Sequence, residues 1–293
     1  MTQEISQEMA QGKKQGMTQG MTSGEYSFHC EKDTAEVRMF LTENIVGGSG
    51  ATEARRKREA MMMRVAEAFK GRGADKWIYA DSLATLRINL DEFTPLSFVN
   101  TVLAMGETAQ NPRGGWRSFG EELKKFSCRQ GEDAGFGSLM WHVSDWSGDN
   151  IYRGNLKELT ENYDGARSMT LSLDYLTRNR DEFAALKNPE LYEEVRMIEM
   201  GFRNHKIPYL PRQAAGNKEI LEDMRNGDII ALVNDKSGSD TYAVGVVVIR
   251  GDGPHLIHFD PKAGVVVEEA EPLKRYMNKE AKYIKGFRWF RIA

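Results

Sequence analysis

In the first two thirds of the chain, apolar residues recur at the three- and four-residue spacing of an amphipathic helix. Met61, Val65 and Phe69 follow this spacing and predict a helix over 52–70. A second apolar segment begins at Pro95, a residue that suits the first helical turn because no amide hydrogen is needed there. The pattern predicts helices over 33–44, 52–70, 95–109, 116–126, 171–186 and 189–202.

The last third of the chain has a different pattern. Short β-branched and aromatic runs alternate with Gly, Asp and Pro turns, which is typical of antiparallel strands. The runs predict strands over 228–234, 242–250, 255–260, 265–268 and 286–292, with a short helix over 271–277. Helices followed by an antiparallel sheet indicate an α+β fold.

The N-terminal segment differs from both parts. Residues 1–24 have few apolar positions and repeat a Gln-Gly-Met step at 15–17 and 19–21. Burial in such a segment does not offset its chain entropy, so we expect a disordered or loosely docked tail. We therefore divide the chain into a tail over 1–24, a helical extension over 25–59 and a main domain over 60–293.

Composition narrows the classes of partner. The formal net charge is -3, which provides no overall attraction for nucleic acid or an anionic membrane. No apolar run approaches the roughly 18 to 20 residues of a membrane-spanning helix, and residues 1–24 contain no apolar stretch typical of a signal peptide. Cys30 and Cys128 are too few for a disulfide framework, and the sequence does not decide whether they pair.

One loop before a predicted helix has a frame suited to nucleophilic chemistry. Residues 89–100 read Asn-Leu-Asp-Glu-Phe-Thr-Pro-Leu-Ser-Phe-Val-Asn. A cysteine at a helix N-terminus is activated by the unpaired amide groups and by a histidine base. The frame resembles Asn-Leu-x-x-Phe-Asp-Cys-x-Thr-Phe-Val-Glu of an NlpC-type family of papain-like cell-wall hydrolases, whose active members are N-acetylmuramoyl-L-alanine amidases.

Further motifs resemble the same family in the same order over about residues 60–293. They are Ser144-Asp145-Trp146 with Asn150, Tyr209-Leu210-Pro211, Gly227-Asp228-Ile229-Ile230, the stretch from Asp240 to Gly245, and Leu256-Ile257-His258. Each motif alone is weak, but the ordered set is specific. The resemblance implies a papain-like fold, with N-terminal helices packed on a C-terminal antiparallel sheet or half-barrel.

The sequence departs from the family at the residues that perform the chemistry. Pro95 stands at the position of the family's nucleophilic cysteine, and Ala243 stands at the position of its histidine. Neither side chain attacks a carbonyl or accepts a proton. The resemblance leaves His258 as the remaining orienting residue, so we expect no intact catalytic set and no Cys-His catalysis.

The resemblance also assigns a ligand groove and its occupant. The expected ligand contacts are Tyr79, Ser97, Asp145, Trp146, Asn150 and Tyr209. Tryptophans in a chain of this size are most often core residues, which is the competing interpretation for Trp146. The expected partners are peptidoglycan fragments or muropeptides, and the expected location is the periplasm or the cell surface.

We expect no cofactor and no metal site. His255, His258 and Asp260 lie close in sequence, but only alternate residues of a strand share a face, so His258 and Asp260 would point together and His255 would point away from them. The sequence does not indicate an oligomeric state.

Three functions stay open at this point. In the first, the chain is an inactive relative of an amidase and binds muropeptides or a partner through the former catalytic groove. Alternatively, it is an active amidase or peptidase with a displaced nucleophile, Ser97 or Cys128, and His258 or His142 as base. As a third alternative, it is an interaction scaffold whose groove is filled by its own side chains.

Overall fold

The helical spacing of the first two thirds of the chain corresponds to helices in a computed structural model. The structure describes residues 31–42, 50–80, 86–111, 113–132, 135–234, 238–280 and 282–293, so the predicted tail over 1–24 and Cys30 lie outside it. The helices are α1 Glu31–Thr42, α2 Ala51–Ala68, α3 Trp77–Ala80, α4 Pro95–Thr108, α5 Trp116–Ser127, α6 Val143–Tyr152, α7 Tyr175–Arg178, α8 Pro189–Gly201, α9 Lys218–Asp223 and α10 Leu273–Lys279.

The strands form one mixed sheet. They are β1 Gly73–Ala74, β2 Glu92–Phe93, β3 Leu156–Glu158, β4 Arg167–Leu171, β5 His205–Pro211, β6 Ile229–Val233, β7 Thr241–Arg250, β8 Gly253–Asp260, β9 Val265–Glu268 and β10 Gly286–Ile292. The order is β2-β1-β9-β8-β7-β6-β10-β5-β4, and β3 pairs with β10. Only the β1–β2 pair is parallel among the described strands. The α+β prediction is confirmed, whereas the papain-like assignment stays a prediction.

Alternation along the central strands separates two apolar clusters on opposite faces of the sheet. On β7, Val244 and Val246 belong to the first cluster, which also contains the buried residues of α2, α4 and α5. Ala243 and Val247 belong to the second cluster, which lies against α9 and α10. Because successive strand residues point to opposite faces, α4 and α10 cover the two sides of the same strands.

The boundary expected between residues 59 and 60 falls inside helix α2. The helix continues through this point, and Met61 and Val65 are buried in the first cluster. Helix α1 joins the same cluster through Val37 and Phe40. The described part of the helical extension therefore shares its core with the main domain.

The predicted helix over 171–186 is wrong. The segment contains the last residue of β4, the short helix α7 and 3-10 turns. Apolar residues at helical spacing also fit a segment that turns repeatedly, and pairing with β5 takes precedence over the local preference at its start. No described helix has the length and apolar character to cross a membrane.

Candidate functional site

Helix α4 begins with a reciprocal cap. The Thr94 hydroxyl accepts a hydrogen bond from the Ser97 amide (3.2 Å), and the Ser97 hydroxyl accepts one from the Thr94 amide (2.8 Å). Pro95 fits between them because the first helical residue has no intrahelical partner for an amide hydrogen. The expected nucleophile position thus carries a ring without a reactive group, and the Ser97 hydroxyl holds the cap.

The expected position of the base, residue 243, lies on strand β7 in the middle of the sheet. Ala243 pairs with Leu232 of β6 and is buried in the second cluster. Helix α4 packs instead on the first-cluster face of β7, where Val244 points. The pairing of Pro95 with Ala243 as a former catalytic couple stays a prediction.

His258 lies close to Ala243 on the neighbouring strand. It is buried on β8, and its Nε2 atom is 2.8 Å from Glu269 Oε1. Its Cα partner is Gly245, where an added Cβ would lie 2.6 Å from the His258 Cβ. A side chain at 243 is therefore diagonal to His258, within reach of a long side chain. This arrangement is compatible with the orienting role expected for His258, which stays a prediction.

The residues of the Ser-Asp-Trp motif are structural in this conformation. Asp145 is buried and forms a two-pronged ion pair with Arg129, with one N–O distance of 2.8 Å. Trp146 is fully buried and donates from Nε1 to Asn100 Oδ1 at 2.8 Å. Asn150 is fully buried and donates to the Trp146 carbonyl at 2.9 Å. Because each of these two side chains is fully buried, a ligand could contact Trp146 or Asn150 only after a change of conformation.

Aromatic side chains fill the space beside Asp145. The rings of Phe136 and Trp141 are 4.7 Å apart, and those of Trp141 and Phe183 are 5.7 Å apart. Tyr79 extends the cluster toward solvent, with its ring 5.2 Å from Phe183. The remaining cavity is about 10 Å³. The groove expected around Asp145 is therefore closed, and Tyr79, which is exposed, does not line the remaining cavity.

A buried ion pair lies at the back of this closed cavity. His142 Nε2 is 2.9 Å from Glu199 Oε1, and Glu199 also accepts from the amides of Leu176 and Thr177. Burial favours neutral His142, but the bond to Glu199 and the charge of Asp240 outweigh it and raise the pKa of His142. Burial likewise opposes charged Glu199, but the bonds from His142 and Thr177 lower the pKa of Glu199.

An open cavity lies three strands away from Ala243, at the same end of the sheet. It has a volume of about 360 Å³ and includes Tyr209, one of the expected ligand contacts. Four cations also line it, beside the neutral polar side chains of Gln213 and Tyr283; the cations are Arg167, Arg212, Lys282 and Lys285. The motif search identified Tyr209 but missed these four cations, which no single motif contains.

The structure does not assemble a replacement nucleophile and base from the residues considered in the sequence. Ser97 is engaged with Thr94. Cys128 is fully buried in the first cluster. His142 pairs with Glu199, and His258 pairs with Glu269. Among the described residues, no group of three His, Cys, Asp or Glu side chains is arranged to hold a metal ion.

The fold and these motifs define a class of amidase-like α+β proteins with helices packed on both faces of a mainly antiparallel sheet. The chain belongs to the AmiA-like, N-acetylmuramoyl-L-alanine amidase-like family, whose model matches residues 65–284. Membership of this family supports a peptidoglycan-related function. No curated protein is significantly similar to the chain.

Solved structures have the same overall fold. An N-acetylmuramoyl-L-alanine amidase from Bacteroides uniformis is 24% identical, with 80% of this chain and 98% of that chain covered and a TM-score of 0.70. A putative xylanase from Bacteroides fragilis is 27% identical, with 78% and 100% covered and a TM-score of 0.69. A protein from Legionella pneumophila is 18% identical, with 89% and 95% covered and a TM-score of 0.64.

Proposed function

We propose that this protein is a non-hydrolytic member of its amidase-like family that binds peptidoglycan fragments. The observation that carries the proposal is the pair of residues at the family's catalytic positions, Pro95 at the start of α4 and Ala243 on β7. The surroundings of both positions are ordered in this chain, with a reciprocal cap at Thr94 and a close contact between Gly245 and His258.

The chemistry of amide hydrolysis explains why these two residues matter. A cysteine amidase needs a sulfur that attacks the carbonyl carbon and a base that takes the thiol proton and later returns a proton to the leaving amine. The ring nitrogen of Pro95 is part of a peptide bond, and Ala243 carries only a methyl group. The attack on the carbonyl therefore lacks a nucleophile at position 95, and the proton transfer lacks a base at position 243.

The proposed ligand lies at the end of the sheet where the open cavity is found. Tyr209 lines this cavity, and its volume of about 360 Å³ falls within the range of about 300–1,000 Å³ common for small-molecule sites. Peptidoglycan lies outside the bacterial cytoplasmic membrane, so the proposal also places the protein in the periplasm or at the cell surface.

A binding assay run beside a hydrolysis assay tests this function. Calorimetry with N-acetylmuramoyl-L-alanyl-D-isoglutamine measures the Kd, and chromatography of the same samples measures release of the dipeptide. We expect binding without release. A Pro95→Cys, Ala243→His double variant is expected to bind equally and to release the dipeptide.

Two single variants, Pro95→Cys and Ala243→His, serve as matched controls, because neither alone restores both groups. Release by the unmodified protein that survives in these variants would contradict the proposal. Absence of any binding by the unmodified protein, measured up to millimolar ligand, would contradict it as well.

One observation favours a different function, an interaction scaffold. The expected groove beside Asp145 is filled by Phe136, Trp141 and Phe183. In a scaffold the ligand groove stays closed and the outer surface does the binding. The calorimetric titration separates the two functions, since a scaffold with a closed groove binds no muropeptide, whereas the proposed function requires muropeptide binding.

A further inference from the structure

The open cavity lies between β4, β5 and the turn that leads into β10. Arg167 of β4 is the cross-strand partner of Tyr209 on β5, so one cation and one ring share a wall. Arg212 follows β5 directly, and its amide donates to the Lys285 carbonyl at 3.3 Å. Lys282 precedes β10 and completes the basic lining. Three separate segments thus bring cations to one concave surface.

Arg212 of this cavity is half-buried, whereas Arg167, Lys282 and Lys285 are exposed. Several other buried or half-buried arginines have carboxylate partners. Arg129, Arg288 and Arg291 each pair with a carboxylate. Within the described part of the chain, Arg167, Arg212 and Lys282 form no ion pair, and no carboxylate lines the cavity. Like charges gathered in a concave surface raise its positive potential, which attracts an anion. The protein as a whole carries a net charge of -3, so this potential is local.

Close backbone packing forms one side of the cavity. A Cβ on Gly286 would lie 2.0 Å from the Leu210 carbonyl oxygen and 2.7 Å from Tyr209 Cδ2. Only glycine lets β5 and β10 approach so closely at this point, and the Tyr209 ring lies against that glycine. The Tyr283 ring is stacked on Tyr242, with centroids 5.8 Å apart and planes 13° apart. Packed aromatic walls with cations at the rim are suited to a ligand with flat amide groups and charged ends.

The cavity also lies three strands from the Ala243 position. Leu210, Phe287, Leu232 and Ala243 are successive cross-strand partners in one row. Three strand spacings of about 4.8 Å separate the ends of this row by roughly 14 Å. The row itself is buried in the second cluster, so this distance relates the two positions in the sheet and is not an open path.

From these observations we infer that the basic cavity is a carboxylate-binding site for a short acidic peptide. The inference rests on the proposed function for the source of that peptide, because muropeptide stems carry several carboxylates. Arginine binds a carboxylate through two parallel N–H···O bonds, so Arg167 and Arg212 provide the directional contacts and Lys282 adds charge.

The test uses the full chain and the dicarboxylate peptide L-alanyl-γ-D-glutamyl-L-alanine, with its diamide as the uncharged counterpart. Calorimetry measures both Kd values at low and at physiological salt. We expect the acid form to bind, the diamide to bind at least about tenfold more weakly, and salt to weaken only the acid form. Equal binding of acid and diamide would overturn the inference.

Variants locate the binding site. Arg212→Gln is expected to raise the Kd of the acid peptide about tenfold, the effect of losing one charge-assisted contact. Arg203→Gln is the matched control, since Arg203 is an exposed arginine outside the cavity. An Arg167→Gln, Lys282→Gln double variant provides a second test on other elements. If none of the cavity variants changes the Kd, the inference is wrong.

Two further measurements distinguish an acidic-peptide site from a general anion site, and failure of the carboxylate site from failure of the proposed function. Inorganic phosphate at the concentration of the peptide should not displace it; displacement would indicate a general anion site and overturn the acidic-peptide assignment. Attachment of the muramoyl sugar is expected to tighten binding. If the muramoyl peptide does not bind while the acid peptide shows the charge dependence, the proposed function fails and the carboxylate site stands. If muropeptide binds and Arg212→Gln has no effect, only the carboxylate site fails.

Discussion

The closed cavity beside Asp145 and the open cavity beside Tyr209 use their charged side chains in opposite ways. In the closed cavity, Asp145 pairs with Arg129 and Glu199 pairs with His142, so each buried charge is compensated within the protein. In the open cavity, Arg167 and Arg212 have no ion pair with any described residue. Removing one partner of a compensated buried pair is costly, whereas cations without partners leave attraction available for a ligand. Motif likeness had pointed to both regions equally.

The largest expected effect concerns the closed cavity. Glu199→Gln should destabilise the protein by about 3–5 kcal/mol, because it leaves His142 and the hydrogen-bonded amides without their buried anion. Denaturant unfolding at pH 5.5 measures the loss. Glu193→Gln is the control on the same helix; its exposed pair with Arg196 should contribute less than about 1 kcal/mol. Equal losses for both variants would remove the contrast between the two cavities.

Trp146→Phe should have the next largest effect. The substitution removes the donor to Asn100 Oδ1 and leaves a buried acceptor unpaired, which costs about 1–3 kcal/mol. The muropeptide Kd should stay within about twofold of the original value, since Trp146 is fully buried. Thermal unfolding and calorimetry measure the two quantities. A large change in Kd with unchanged stability would instead make Trp146 a ligand contact.

The pH dependence of the Glu199→Gln effect should follow the two shifted pKa values. The lowered pKa of Glu199 gives stability that is present above its ordinary value of 4.5 and is lost as the pH falls through the folded pKa. The raised pKa of His142 gives stability that is present below 6.5 and is lost as the pH rises through the folded pKa.

The stability difference between the unmodified protein and Glu199→Gln should therefore be largest between about pH 4.5 and 6.5 and should shrink on both sides. Unfolding midpoints at half-unit pH steps measure it. A difference that is constant from pH 4 to 9 would mean that the pair does not titrate as described.

The smallest expected effect concerns the open cavity. Arg212→Gln should change the free energy of unfolding by less than about 0.5 kcal/mol, because no ion pair is lost. Chemical denaturation measures it beside the control Arg203→Gln. A loss above about 2 kcal/mol would show that Arg212 stabilises the fold, and its effect on binding would then lose its simple interpretation.

Local signals explain the parts of the fold that were predicted. The predicted strands over 265–268 and 286–292 match β9 and β10, and the helix predicted from Pro95 begins at that residue. Turn residues and the cap at Thr94 lie within a few positions of these boundaries. Strands β4 and β5 were missed because Arg167, Ser168 and Thr170 are exposed edge residues without an alternating apolar pattern. Their pairing joins residues far apart in the chain.

The candidate site likewise combines residues that local motifs identify with features that depend on long-range packing. Motif likeness identified Pro95, Ala243 and Tyr209, since each lies in a recognisable frame. It did not reveal that Trp146 and Asn150 are fully buried. Burial depends on which distant segments pack against a residue, and no local pattern encodes that.

The sequence by itself determined which side chains stand at positions 95 and 243, and the identity of a side chain decides whether it can attack or accept a proton. It also determined the α+β class through its periodicity. Only the tertiary structure decided that the groove beside Asp145 is closed and that cations from residues 167, 212, 282 and 285 surround one cavity. The physical reason is that β4, β5 and the β10 turn meet through long-range backbone pairing, which brings together side chains more than one hundred positions apart.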